Sequence, residues 1–386
     1  MIVIVLVILA QAFSLHAFFL CDNITAMLLQ IKHQIDKSLA RFLDKIKSDY
    51  KLHLVDPILY NSLREFCLRD GKRIRPILLA LSYKGYRKSS APMSPSIYYA
   101  STCIELLHNF MLIHDDIIDQ SDLRRGKPTL HRLLEKAVQT KDKDRLGRDL
   151  SLVAGDIVYA LAIDAFLSIN EEPYRKEEAL KYFIQTAVFT AMGEFADTLD
   201  GVKGIQKITE EAVFLNYTLK TARYTFDCPL VVGAILAGAD KKDTKALSKL
   251  GLLIGQAFQI QDDVIGIFDS EKNIGKSILS DLVESKKTLL VCHAYQVLKG
   301  KEKKKFLEIF TKSKKTYSDL VAVRKIFIQA GSLTYSLEQI EVRLKQAQKL
   351  MANLKMKPQY KKLIQKCLFK LFQHSEILAR QYQVNS

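Results

Sequence analysis

The chain is short of the residues that interrupt helices, with 16 Gly and 8 Pro among 386 residues. Apolar residues recur at spacings of three and four from Ile24 onward, and no convincing strand pairs are visible. That combination argues against a sheet and for an almost wholly helical protein. No repeat of solenoid type is present, and a chain of this length can bury a substantial core. The six cysteines (Cys21, Cys67, Cys103, Cys228, Cys292 and Cys367) include no Cys-x-x-Cys pair and no zinc-ligand spacing. They read as separate thiols of a reducing compartment, so a cytoplasmic location is the expectation. Acidic residues are scarce towards the end. From Lys301 to Ser386 there are 19 Lys+Arg against 6 Asp+Glu, in a chain whose formal net charge is +16. The surplus reads as a solvated helical surface, with attraction to acidic lipid headgroups the next candidate. No nucleic-acid-binding module accompanies it, so no nucleic-acid partner is expected.

Residues 1–21 lack charge altogether; Gln11, Ser14 and His16 are their only polar side chains. The run is long enough to span a bilayer, yet it has no basic n-region, and positive charge follows it at Lys32, Lys37, Arg41, Lys45 and Lys47. Three readings fit: a membrane anchor with the rest of the chain on the cytoplasmic side, a mis-assigned start with translation from Met27, or an apolar helix packed on the core.

The most informative stretch that is present is Asp115-Asp116-Ile117-Ile118-Asp119, followed by Arg124-Arg125-Gly126. On a helix, Asp115 and Asp119 lie one turn apart on one face and aim two carboxylates at one point. A hard divalent cation relieves their repulsion. Mg²⁺ suits such a place, since it takes one or two carboxylates together with phosphate oxygens and keeps several waters. The arginines beyond can grip phosphates in a forked geometry. Read alone, the stretch is equally a solvated acidic helix end and a basic loop. A second acidic cluster, Gln259-Ile260-Gln261-Asp262-Asp263, follows an apolar run and precedes Lys276, Lys286 and Lys287. A third element, Gly71-Lys72-Arg73-Ile74-Arg75-Pro76, concentrates positive charge. Two acidic and several basic clusters describe a site for metal ions and more than one phosphorylated ligand.

In this order the motifs resemble those of the trans-isoprenyl diphosphate synthases, also called polyprenyl synthetases. Asp115-Asp116-x-x-Asp119 with Arg124-Arg125-Gly126-x-Pro128-Thr129-x-His131 is similar to the family's first aspartate-rich motif. Gly71-Lys72-Arg73-x-Arg75-Pro76 is similar to its homoallylic-substrate motif, and Lys220-Thr221-Ala222 to its Lys-Thr motif. Gln259-x-Gln261-Asp262-Asp263, with Gly275-Lys276, Asp281-Leu282 and Lys286-Lys287-Thr288, is similar to its second aspartate-rich region. The likeness runs from about Leu28 to Arg380. It implies one all-α domain of the isoprenoid synthase type, a single-domain helical bundle around a central cavity, with residues 22–386 as the catalytic domain and residues 1–21 apart from it. It also implies a homodimer.

The activity implied is condensation of isopentenyl diphosphate with an allylic diphosphate, with Mg²⁺, three ions in number, as cofactor. Asp115, Asp119 and Asp262 would bind the metal, while Asp116 and Asp263, turned about 100° from their neighbours, could instead brace basic residues. Arg124, Lys220 and Lys276 would hold the allylic diphosphate with Lys286 nearby, and Lys72, Arg75, His108 and Arg125 the homoallylic one. His108 alone, seven residues before Asp115, reads as a core or capping residue; only the motif makes it a binding residue. Thr221 and Gln259 match positions whose oxygens face the developing carbocation. No general-base side chain is evident, which suits a reaction in which released diphosphate takes the proton.

Met111 and Phe110 precede Asp115 by axial offsets of about 6 and 7.5 Å and would floor the path of the growing chain. An aromatic five residues before the motif resembles archaeal-type geranylgeranyl diphosphate synthases, and bulk at both positions the eukaryotic farnesyl type, so a C20 product is expected over C15. Three departures from the family pattern stand out: Gly266 for a third Asp, Ser285 for Gly and Glu194 for Gln. The rivals are a class I terpene cyclase, whose second metal motif Asn273-x-x-x-Ser277-x-x-x-Asp281 approximates, and a non-catalytic subunit of a heteromeric synthase. The helices expected to position these motifs are Ile97–Asp119 and Leu247–Phe268, with Lys136–Asp149 as a charged loop or short surface helix.

Overall fold

The structure is a computed structural model that describes residues 23–88, 95–269, 280–373 and 377. The apolar run 1–21, Lys276 with Gly275, Asn273 and Ser277, and most of the Tyr86–Ser96 loop lie outside the described residues. The fold is an all-α helical bundle. Its described residues divide into two compact units: the first holds those up to Lys181 with Pro229–Asp240 and Met356–Ile364, the second Tyr182–Cys228, Lys241–Lys355 and those from Gln365 onward.

In the first unit, helix α1 (Asn23–Asp49) buries Ile31, Ile35, Leu39, Phe42 and Ile46, a stripe spaced by threes and fours. After the short α2 (Leu52–Val55), α3 (Pro57–Cys67) starts at a proline in its first position, with Asp56 Oδ1 accepting from the Ile58 N–H at 2.7 Å. Helix α4 (Ile74–Tyr86) follows the Gly-Lys-Arg segment. Helix α5 (Pro95–Ile118) is the centre of this unit. It packs against α1, α4 and α7 (Lys143–Leu167), with Ala100, Cys103, Ile104, Leu106, Leu107 and Ile113 buried. Between α5 and α7 come two antiparallel two-residue strands, β1 (Leu123–Arg124) and β2 (Lys127–Pro128), and helix α6 (Leu130–Ala137).

Two features differ from expectation. No strands were expected, but Arg125 (φ 55°) and Gly126 (φ 72°) form the two-residue turn with both central φ values positive that matches strand twist. The charged stretch expected as a loop or short surface helix is in part the first two turns of α7. Its charges pair across turns, Arg148 with Asp144 at 2.6 Å and Arg145 with Asp149 at 3.6 Å, and Arg132 of α6 adds a contact to Asp144 at 2.8 Å. Such local pairing supports a helix where an apolar stripe is absent. Among the described residues α7 is the one helix long and apolar enough, by length and composition, to cross a membrane; it buries Ala154, Val158, Ala162 and Phe166 within this unit.

The second unit takes helix α8 (Pro173–Val202) from Tyr182 onward, then a 3₁₀ turn (Ile205–Lys207) and α9 (Glu210–Asn216), which Thr209 caps by accepting from the Ala212 N–H. The backbone then widens into a π-helix over Tyr217–Asp227. Helix α10 (Cys228–Leu236), which from Pro229 onward belongs to the first unit, precedes α11 (Lys241–Phe268), the central helix of the second. Its buried stripe is Leu247, Leu250, Ile254, Ala257, Ile260, Val264 and Ile267. Short α12 (Ser280–Val283) and α13 (Leu289–Val297), α14 (Gly300–Thr311), α15 (Tyr317–Gln329) and α16 (Ser332–Asn353) complete a core around Val264, Leu290, Phe306, Leu320, Val323 and Phe327. The last described helix is α17 (Pro358–Lys370).

Candidate active site

The first acidic motif sits where α5 ends. Asp119 N–H still bonds to the Asp115 carbonyl at 2.8 Å, and Ser121 N–H reaches back to Asp116 at 3.0 Å across Gln120, which is left-handed (φ 52°). This is the bond pattern of a helix stop. It leaves Asp119 exposed and Asp115 half-buried, while Asp116 is 0% exposed. Asp116 pairs with Arg124, whose Nε lies 2.8 Å from its Oδ1 and whose Nη2 reaches both Asp116 and Asp115, the latter at 3.2 Å. Burial pushes the Asp116 carboxyl up to about 6 although Arg124 pulls the other way. Asp116 thus braces a basic residue, and the outward carboxylates of the motif are Asp115 and Asp119.

The hairpin separates the paired arginines. Arg124 turns to the acidic motif. Arg125 donates to the backbone carbonyls of Asp70, at 3.2 Å, and Arg69, at 3.4 Å, over Gly71. A Cβ at Gly71 would lie 3.0 Å from Arg125 Nη1, so the absence of a side chain there admits the guanidinium. Nearby, Arg75 Nη1 lies 3.2 Å from His108 Nε2. A guanidinium only donates, so Nε2 accepts and the imidazole proton is on Nδ1. His108 is 8% exposed. Burial, then the charges of Arg75 and Arg125, hold its pKa well below the usual value. It is a neutral ring whose Nε2 accepts from Arg75. Withdrawal from water, and the charges of Arg73, Arg75 and Arg124, lower Arg125 as well. The structure brings Arg75, His108 and Arg125 together beside exposed Lys72 as an excess of positive charge. Arg73, by contrast, is buried between Asp36 (2.8 Å) and Glu105 (2.5 Å) and holds the segment in place.

Below the first motif, the half-buried Phe110 packs on Tyr159 of α7, with ring centroids 4.9 Å apart, and edge-on against His114 at 4.6 Å. Met111 is half-buried beside it. Tyr159 was not legible as part of this group.

The second acidic motif lies in the last turns of α11. Arg324 of α15 caps the end, donating to the Ile267 carbonyl at 2.5 Å and the Asp269 carbonyl at 2.9 Å. Asp262 is exposed and Asp263 buried. Asp263 Oδ1 accepts from Gln259 Nε2 at 3.0 Å and its Oδ2 from the Tyr217 hydroxyl. Burial, then the charge of Asp263, raises the Tyr217 phenol far above its usual range, so it stays a donor. Gln259 Oε1 accepts from Thr221 Oγ1 at 2.6 Å.

Thr221 and Lys220 are carried by the π-helix, whose wider coil approaches its neighbours closely. A Cβ on Gly193 of α8 would fall 2.4 Å from Lys220 N, and one on Gly255 of α11 2.3 Å from Ala222 Cα. Lys220 Nζ is held by Asp197 at 2.7 Å and Glu194 at 2.9 Å. Those two carboxylates, three residues apart on one helix face, are a signal that the motifs did not include. Lys286 pairs with Glu284 at 3.1 Å, following Ser285 in a left-handed conformation (φ 52°). Ser285 accepts from Lys315 at 2.9 Å.

Among the described residues, no three of His, Cys, Asp or Glu converge as a preformed metal site. The donor set nevertheless fits Mg²⁺, whose sites commonly take one or two carboxylates and leave other positions to water and substrate phosphate. Asp115 and Asp119 in the first unit, and Asp262 in the second, are hard oxygen donors that solvent reaches, whereas Asp116 and Asp263 are buried on Arg124 and on Tyr217 with Gln259 respectively.

The family model for polyprenyl synthetase matches residues 56–327, and the chain belongs to that family. It is therefore an enzyme that transfers prenyl groups. The short chain isoprenyl diphosphate synthase of Methanocaldococcus jannaschii is 32% identical over 279 residues, covering 72% of this chain and 76% of that protein. The geranylgeranyl diphosphate synthase of Sulfolobus acidocaldarius is 31% identical over 303 residues, 75% of this chain and 83% of the other. In fold, the crystal structure of geranylgeranyl pyrophosphate synthase from Corynebacterium glutamicum, complexed with isoprenyl diphosphate and magnesium, superposes with a TM-score of 0.79 at 24% identity. It covers 88% of this chain and 97% of that one.

Proposed function

We propose that this enzyme condenses isopentenyl diphosphate with an allylic diphosphate to give a linear all-trans prenyl diphosphate, C20 in preference to C15. The observation that carries the reading is the parting of Arg124 and Arg125 by the hairpin. One guanidinium goes to the acidic motif and the other to the Lys72–Arg75–His108 cluster. A reaction with two diphosphates needs two cationic anchorages; a cyclase acting on one does not.

In this reading the allylic C1–O bond breaks with both electrons leaving on the diphosphate. The π electrons of the isopentenyl double bond then form the new bond to C1, and a proton lost from the adjacent carbon goes to the released diphosphate. Asp115 and Asp119 in one unit and Asp262 in the other would hold magnesium, three ions by family resemblance, and the metal would supply Lewis-acid neutralisation of the charge on the leaving group. Arg124, Lys220, Lys276 and Lys286 hold the allylic diphosphate. Lys72, Arg75 and Arg125 hold the other, with His108 orienting Arg75. Thr221 and Gln259 face the cation, and Phe110 and Met111 floor the chain's path. The relatives' names, one of them geranylgeranyl diphosphate synthase, support the C20 preference.

We also read the protein as a homodimer. From Ile184, helix α8 exposes Val188, Met192, Phe195 (73% exposed), Leu199 and Val202 (84% exposed) at spacings of three and four. A second copy of the same stripe would cover that seam. The buried, separate thiols fit a cytoplasmic enzyme; membrane fractionation of protein made from the native gene distinguishes an anchor in residues 1–21 from a start at Met27.

The deciding assay is purified protein with Mg²⁺, isopentenyl diphosphate and radiolabelled allylic diphosphates of several lengths. A lengthened linear diphosphate supports the reading. A cyclic hydrocarbon favours the cyclase, and intact substrates favour a non-catalytic subunit.

A further inference from the structure

A directed hydrogen-bond chain runs behind Thr221. It begins at the Leu289 backbone N–H, which can only donate and does so to the Tyr217 hydroxyl oxygen at 2.8 Å. The Tyr217 proton therefore points onward, to Asp263 Oδ2. The other carboxylate oxygen of Asp263 faces the side-chain amide of Gln259 at 3.0 Å. A carboxylate only accepts, so the amide must turn its NH₂ to Asp263 and its carbonyl the other way. That carbonyl meets Thr221 Oγ1 at 2.6 Å, and a carbonyl cannot donate. Thr221 is thus obliged to spend its only proton on Gln259. What its oxygen presents elsewhere is lone-pair density.

We propose that Tyr217 and Asp263 are positioning residues of the elongation step. Together they lock the Gln259 amide, so that Thr221 offers lone pairs rather than a proton to the positive charge developing on the allylic carbon. This rests on the function proposed above. It assigns Asp263 a task separate from metal binding, consistent with its burial beside exposed Asp262. It also gives a task to Tyr217, which no motif of the sequence includes. The anchoring at Leu289, the first residue of α13, sets the polarity of the whole chain from backbone that cannot reverse it. If Asp263 were neutral, or Tyr217 lacked its hydroxyl, the amide could flip. Thr221 would then turn its proton towards the reacting carbon, and a favourable electrostatic contact would become an unfavourable one.

The test is steady-state elongation by the full chain carrying Tyr217→Phe or Asp263→Asn, with Thr221→Val as a companion. The expected result is a kcat lower by about tenfold or more in the first two, with both diphosphate KM values and the half-saturating Mg²⁺ concentration within about twofold of wild type. Adding Thr221→Val to Asp263→Asn should cost much less than Thr221→Val alone. Thermal stabilisation by Mg²⁺ with inorganic pyrophosphate, read without turnover, should be unchanged. The proposal is overturned if both kcat values stay within twofold of wild type, or if KM, Mg²⁺ dependence and kcat all move together as loosened packing would make them. Should Asp263→Asn not fold, Tyr217→Phe, which removes a single hydroxyl, carries the test. A wild-type protein that does not elongate would remove the proposed function itself, an outcome distinct from variants that match an active wild type.

Discussion

The two acidic motifs solve one problem in different ways. Each pairs an outward carboxylate with an adjacent buried one: Asp115 with Asp116, and Asp262 with Asp263. At the first motif the buried carboxylate is matched by a cation, Arg124. At the second it is matched by neutral donors, the Tyr217 hydroxyl and the Gln259 amide. A buried carboxylate must have partners in either case, because desolvating it alone costs several kcal/mol. The choice of partner decides what else the pair can do. Matching with Arg124 makes the first motif a holder of positive charge beside its outward carboxylates. Matching with Tyr217 and Gln259 makes the second a fixer of hydrogen-bond direction.

The largest expected effect separates the outward carboxylates from the buried ones. Asp115→Asn and Asp262→Asn should each lower kcat by about a thousandfold, roughly 4 kcal/mol, and raise the Mg²⁺ needed for half-maximal rate. Asp116→Asn and Asp263→Asn should cost nearer tenfold with Mg²⁺ dependence unchanged. Equal losses in all four, measured by steady-state kinetics across a Mg²⁺ titration, would erase the distinction.

Next in size is stability. Arg124→Ala strands the Asp116 carboxylate and should destabilise the protein by about 3 kcal/mol in urea unfolding; adding Asp116→Asn should recover most of that loss. Tyr217→Phe, which removes one neutral donor, should cost about 1 kcal/mol.

A third buried carboxylate, Asp227, joins the two solutions, with the Tyr182 hydroxyl at 2.6 Å and Arg223 Nη1 at 3.3 Å. Burial pushes it up to about 6 from an ordinary 3.8, against the pull of Tyr182, Ser248 and Arg223. A folded-state pKa above the unfolded one contributes stability that is full below about pH 4 and lost as pH rises through about 6. Asp227→Asn should therefore gain on wild type as pH rises from 4.5 to 7.5, by about 2 kcal/mol. A gain in the opposite direction would show that Arg223 outweighs burial.

The smallest effect concerns the second phosphate anchorage. Gly71→Ala places a Cβ 3.0 Å from the Arg125 guanidinium, the movable end of a long side chain. The KM for isopentenyl diphosphate should rise a few-fold, with stability changed by roughly 0.5 kcal/mol or less and the allylic KM unchanged.

Much of this was legible in the sequence. The scarcity of Gly and Pro and the three-four spacing gave the helical bundle, and residue spacing put both acidic motifs on helices. Which carboxylate of each pair is buried had a signal as well. Asp116 continues the buried line through Glu105, Asn109 and Ile113, and Asp263 sits one turn from buried Ile260 and beside Val264. The π-helix left no such trace, because a widened coil has no distinctive period in so short a stretch; Gly193, Gly251 and Gly255, which admit it, hint at its bulk. The hairpin was equally hidden, resting on two positive φ values of which only one belongs to a glycine. Ion pairing across turns, rather than an apolar stripe, built the start of α7 and so escaped a reading based on hydrophobic period.

The central claim is that the outward carboxylates hold the metal while their buried neighbours hold the protein. It is met most directly by the half-saturating Mg²⁺ concentration for elongation in Asp115→Asn, Asp116→Asn, Asp262→Asn and Asp263→Asn. The account expects a rise of about tenfold or more at Asp115 and Asp262, and values close to wild type at Asp116 and Asp263. A rise at the buried pair with none at the exposed pair would contradict it.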